Sequence, residues 1–158
     1  MTGGPILGRV DDVAVPAREL ADAIAEALPR WVERCVDRIH RAWAGPPPPA
    51  VAEAARVAGA MARDEVGARV RALLEADIDD QHTTPLALVR AAVGHPTRVL
   101  AAAGVPAVER DAVEREMFPD DVYGLSPASF ADVDPRLPEL AIAWGAAKAW
   151  AHRRRHTP

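Results

Sequence analysis

RAWAGPPPPAVAEAARVAGA, residues 41–60, contains the break that decides the fold. Four consecutive prolines fix φ and supply no backbone donors, so GPPPP at 45–49 is a rigid, non-helical connector. On both sides of it the apolar residues return at helical spacing. Upstream, Leu20, Ile24, Leu28, Trp31, Cys35, Ile39 and Ala42 recur every three or four residues, which predicts one amphipathic helix from Pro16 to Ala44. Pro29 interrupts it. Its ring clashes with the carbonyl of Ala25, so either a kink or two helices meeting near Leu28 is expected. Downstream, Ala55, Ala58, Ala62, Val66, Val70 and Leu73 give a second stripe over about residues 50–77. Two long helices joined by a short stiff link lie antiparallel. The expected fold is therefore all-α: a helical bundle built on a long antiparallel αα-hairpin, with shorter helices and one long aromatic-bearing loop.

Working outward, residues 1–14 hold glycines, a proline and no expected period, and read as a flexible N-terminal arm. A single helical domain is expected over 15–153, followed by a short basic tail at 154–158. Thr84-Pro85 reads as an N-cap and first helical position, with Gly94 ending that helix. His95 precedes Pro96 and so prefers an extended backbone, and a further short helix closes at Gly104. Residues 108–118 read as a polar helix with Arg110/Glu114 and Asp111/Arg115 four apart, stopped by Pro119. Ser126-Pro127 starts a turn through Phe130, and Asp134-Pro135 starts the last helix. That helix, LPELAIAWGAAKAWA, is apolar nearly all round and is expected at the centre of the bundle, with Ala141, Gly145 and Ala149 offering a smooth face. Trp31, Trp43, Trp144 and Trp150 are expected to supply much of the core.

At 158 residues, with 49% hydrophobic and 27% charged residues, the chain has enough apolar material for its own core, so neither a metal nor a disulfide is needed to fold it. Cys35 is the only cysteine, no apolar run reaches the ~20 residues of a membrane span, and MTGGPILGRVDDVAV lacks the pattern of a signal peptide. A cytoplasmic location is expected. Arginine supplies every basic side chain but Lys148 and asparagine is absent, a bias that looks like a GC-rich bacterial genome. A net charge of -4 argues against a broad nucleic-acid footprint. LALVRAAVGHPTRVLAAAG faintly resembles a helix-turn-helix around Gly94, but Arg98 is the one side chain of its second piece suited to reading bases.

MFPDDVYGLSPASFADVDP, residues 117–135, holds both phenylalanines and the only tyrosine. Loops beyond ~12–15 residues are uncommon in compact domains, and this one reads as a crossover pinned by its aromatics or as a binding surface. Phe118, Tyr123 and Phe130, rimmed by Asp120, Asp121, Asp132 and Asp134, would suit a cationic ligand or basic partner. On the first helix, Glu26 and Asp37 can pair with Arg30 and Arg41 four residues away, which leaves Arg34 and Arg38 less satisfied within the helix and free to hold an anion, an acidic partner or this same loop. Asp77, Asp79, Asp80 and His82 are weak metal candidates, because the run lacks an EF-hand's glycine and terminal glutamate. Glu33, Asp37 and His40 form half of a di-iron pattern whose other half is missing, and an Asp37–Arg41 pair is the simpler account. Cys35 falls on the apolar stripe as a core residue. No catalytic constellation and no cofactor motif is present. The expectation is a non-enzymatic interaction or regulatory module using the 117–135 loop, its partner another protein or a second copy. The alternative is a small-molecule-binding or metal-dependent helical enzyme with its pocket under that loop.

Overall fold

A computed structural model describes residues 4–75 and 85–155. Six helices follow in order: α1 (Gly4–Ala44), α2 (Pro49–Leu74), α3 (Pro85–Arg90), α4 (Gly94–Ala102), α5 (Ala112–Met117) and α6 (Leu137–Arg155). Short 3-10 turns occupy Ala91–Val93 and Phe130–Asp132. The chain is 77% helical with no strand among the described residues, and α1 and α2 form the long hairpin of an all-α bundle. No helix among those residues is long and apolar enough to cross a membrane.

The proline link works as its chemistry dictates. Gly45 takes φ 88°, which a side chain would resist, and its amide closes α1 on the Arg41 carbonyl at 3.2 Å. His40 is buried beneath this cap and donates Nδ1–H to the Gly45 carbonyl at 2.7 Å. Pro49 then opens α2 from a Pro48 N-cap. Going back along α1, Pro29 meets Gly59, Ala25 meets Gly67 and Asp22 pairs with Arg71, so the two helices run antiparallel. Pro29 stands inside one continuous helix, so of the two expected alternatives, a kink or two helices meeting near Leu28, the second does not occur. Gly59 makes room for it: a Cβ there would lie 2.9 Å from both Cα and carbonyl oxygen of Pro29.

Leu20, Ile24, Leu28, Val32 and Val36 of α1 are fully buried against Val66 and Val70 of α2 and Leu100 of α4. The α2 stripe ends on Leu74 rather than Leu73, four residues past Val70, and Ala42 is exposed where α1 runs past the body. Alanine and glycine at 55, 58, 59, 62 and 67 bring the two backbones together and leave little space for indoles. The tryptophans correct the expected core accordingly. Trp31 is buried, but Trp43 is 46% exposed with its ring edge-on to His40, and Trp144 and Trp150 are half-buried under Lys148 and Arg154.

Helix α1 begins at Gly4, so residues 4–14, expected as a loose arm, are helical. The period does run on in sequence there, since Ile6, Val10 and Val13 precede Ala17 at spacings of four, three and four. At the other end α6 continues through Arg155, past the start of the expected tail. Gly94 does not end a helix: with φ -60° and ψ -28° it opens α4, and His95 is helical despite the following proline. The faint helix-turn-helix resemblance therefore lacks its turn, and Arg98 folds back to donate to His95 Nδ1 at 3.2 Å. Gly104 does close α4, with Val105 N–H reaching the Leu100 carbonyl and Gly104 N–H that of Ala101, both at 3.0 Å.

Helix α6 departs furthest from expectation. It packs along α1 and the 3-10 turn at Phe130–Asp132 with Leu137 and Ala151 buried, but Ile142 is 72% exposed and nothing approaches Gly145. It is a flank of the bundle, not its centre.

Candidate binding groove

From Phe118 to Arg136 the chain has no helical stripe to bury, and its attachments are side chains bonded to backbone. Asp121 is 3% exposed and accepts from the amides of Leu125 at 2.8 Å and Ser126 at 2.7 Å, folding the segment around Gly124, where φ is 67°. Tyr123 is equally buried and donates its hydroxyl to the Val105 carbonyl at 2.7 Å, while Val108 N–H reaches the Val122 carbonyl at 3.0 Å. Burial raises the Tyr123 phenol pKa, which keeps that donor protonated. Asp132 accepts from the amides of Ala128 and Ser129, and Asp134 from that of Arg136, which together with the Arg136 guanidinium holds its carboxyl below the usual range. Among these acids Asp120 alone is exposed without such a bond among the described residues. The expected acidic rim does not form, because the carboxylates are spent on neighbouring backbone donors.

Two arginines from the helical body fix the segment from outside. Arg90, at the end of α3, donates to the Pro127 carbonyl at 2.9 Å and that of Ala128 at 3.2 Å, and its guanidinium lies 5.8 Å from the Phe118 ring centre. Arg34 of α1 donates to the Val133 carbonyl at 2.7 Å, so this chain's own loop occupies one of the two arginines singled out by spacing. Arg110 is turned away from its expected partner Glu114 and donates to the Phe118 carbonyl at 2.6 Å, while Asp111 caps α5 through the Glu114 amide. That capping shortens the expected 108–118 helix to six residues.

Between α1 and this segment lies an open groove of about 740 Å³. Trp31, Arg34, Cys35 and Arg38 line one wall, and Leu125, Ser126, Pro127 and Asp132 the other. Arg38 is exposed, and among the described residues no hydrogen bond or ion pair engages it. Of the acids along the groove, Asp37 is held by Arg41 at 2.8 Å and Asp132 by backbone amides, leaving Glu33 at the edge. Burial pushes the Cys35 thiol up to about 12, against the opposing pull of Arg38 and Arg34, so it stays protonated and poorly nucleophilic near neutrality.

Thus the structure brings Arg34 and Arg38 to the loop, buries Asp121 and Tyr123 inside it, and leaves Phe118 and Phe130 half-covered at its ends. The metal candidates Asp77, Asp79, Asp80 and His82 lie outside the described residues, and among the described residues no group of three ligating side chains converges. Glu33, Asp37 and His40 likewise form no site, with His40 committed to its cap and Asp37 to Arg41. Spacing gave no sign of Arg90 or Leu125, which meet the groove's second wall only through tertiary folding. Compared with known proteins, the chain matches no family model, no curated protein and no solved structure.

Proposed function

We propose that this chain is a non-enzymatic, cytoplasmic interaction or regulatory module that holds a segment of a partner protein in the groove between α1 and residues 121–133. The observation that carries this reading is Arg38, a guanidinium at the groove wall with no hydrogen bond or ion pair among the described residues, in a groove whose two walls also carry the apolar Trp31 and Leu125. A carboxylate flanked by an apolar side chain is the chemistry that matches such a pair. The high pKa of Cys35 supports a binding role over a nucleophilic one, and a single buried free thiol suits a reducing compartment.

The test compares proteins captured by wild type, Arg38→Glu and the control Arg69→Glu on exposed α2 surface. The reading predicts a partner retained by wild type and Arg69→Glu and lost with Arg38→Glu. Capture of the same proteins by all three contradicts it. A second reading, a small-molecule site, is favoured by the groove's volume, which falls in the range of about 300–1,000 Å³ typical of such pockets. A metabolite that raises the melting temperature of wild type but not of Arg38→Glu selects that reading, since a ligand at 100 times its Kd adds about 2.7 kcal/mol.

A further inference from the structure

Gly124, Ser126 and Pro127 line the groove and also a second cavity, of about 310 Å³, to which Arg90, Arg110, Glu114, Met117, Phe118 and Asp121 contribute. Opposite charges share this cavity without neutralising one another. Arg110 precedes the Asp111 cap of α5 and donates to the Phe118 carbonyl at 2.6 Å. The exposed Glu114 carboxylate is thereby left with no hydrogen bond or ion pair among the described residues. Arg90 is fixed by its bonds to the Pro127 and Ala128 carbonyls, and Arg110 by its bond to Phe118. A guanidinium has five N–H donors, so both arginines are held in place with donors to spare. Asp121, by contrast, has one oxygen on the Leu125 amide and the other on that of Ser126. Beside the charges lies apolar surface, since the Phe118 ring is half-buried and Met117 is 63% exposed.

Two guanidiniums and two carboxylates give this lining no net charge, so a ligand that is only an anion or only a cation leaves one sign unanswered. A small zwitterion answers both. We infer that the cavity takes an α-amino acid with an apolar side chain: its carboxylate on Arg90 and Arg110, its ammonium on Glu114, and its side chain against Phe118 and Met117. Planar guanidiniums already anchored on carbonyls suit a carboxylate, because little freedom remains to be lost on binding. The volume is at the small end of the ~300–1,000 Å³ of small-molecule sites, which fits one amino acid. Arg38 is not part of this lining, so the inference and the reading of the groove can fail separately.

The test is a titration of the 15N-labelled full chain followed by NMR, with L-phenylalanine, 3-phenylpropionate, phenethylamine and inorganic phosphate as probes. Phenylalanine should bind with a Kd on the order of 1 mM, the strength that about 12 non-hydrogen atoms supply, and shift the amides of Met117 and Phe118. The propionate lacks the ammonium and the amine lacks the carboxylate, and each should bind ~10-fold more weakly, with no binding of phosphate. Glu114→Gln changes a side chain that holds nothing in the fold. It should weaken phenylalanine by ~10-fold and leave 3-phenylpropionate unchanged, whereas Arg110→Gln should weaken both. Arg38→Glu should leave phenylalanine binding as in wild type. The inference is overturned by the absence of a saturable shift at Met117 and Phe118, by equal affinity for phenylalanine and 3-phenylpropionate, or by phenylalanine binding that Glu114→Gln does not change or Arg38→Glu abolishes.

Discussion

Along the α1/α2 contact, Ala25 meets Gly67 and Pro29 meets Gly59, and the fit is one of volume repeated over many turns. Between Phe118 and Arg136, by contrast, Asp121, Tyr123, Arg34 and Arg90 each make a particular bond to a particular backbone group. The hairpin therefore tolerates losing a polar group and not gaining a methyl. The loop tolerates changes of size at its exposed positions and not the loss of one acceptor or donor. Dispersed apolar contact specifies the body, and a few discrete bonds specify the groove wall.

The largest effect should come from overfilling the hairpin. Gly59→Val places branched carbon against the Pro29 backbone, where even a Cβ lies at 2.9 Å, and should cost about 3 kcal/mol in urea denaturation. A neutral result would mean that the helices slide apart freely. Next comes Asp121→Ala, which strands one buried and one part-buried amide and should cost about 2–3 kcal/mol, while Asp121→Asn, keeping one acceptor oxygen, should lose about half as much. Equal losses for both variants would show that charge, not hydrogen bonding, holds the loop. Tyr123→Phe removes only the hydroxyl on the Val105 carbonyl and should cost about 1 kcal/mol with the groove intact.

A polar contact within the helical body gives a pH test of the same contrast. His95 is buried, and burial together with neighbouring Arg98 lowers its pKa despite Glu65. The unfolded chain then binds this proton more readily, so stability is level above the unfolded value of ~6.5 and falls as the pH drops below it. Urea midpoints measured from neutral pH downward should show this decline, and His95→Gln should flatten it. Smallest of all, Asp37→Ala removes an exposed pair with Arg41 and should change stability by no more than about 0.5 kcal/mol.

The same division explains what could be read from sequence. The hairpin, the proline link, the αL glycine after α4 and the start of α3 at Pro85 all rest on residues within a turn or two of one another. Period and capping chemistry report such local causes directly. Arg90 reaches Pro127 across 37 residues and Arg34 reaches Val133 across 99, and no spacing rule encodes either contact. Arg34 and Arg38 were legible as the two arginines left over once Glu26 and Asp37 pair with Arg30 and Arg41, although not which one the loop would take. The apolar circumference of α6 pointed to burial on all sides, whereas the α2 alanines and glycines had already drawn α1 and α2 too close to admit a third helix between them.

Native-state hydrogen exchange at the Leu125 and Ser126 amides tests most directly whether the groove wall is built in advance by Asp121. A preformed wall predicts that both amides exchange only as slowly as opening of the loop or the whole fold allows, and that Asp121→Ala releases them while the amides of α1 and α2 stay protected. Exchange of both in wild type at the rate of an unstructured peptide would contradict the account, and would make residues 121–133 a segment without a fixed surface to offer.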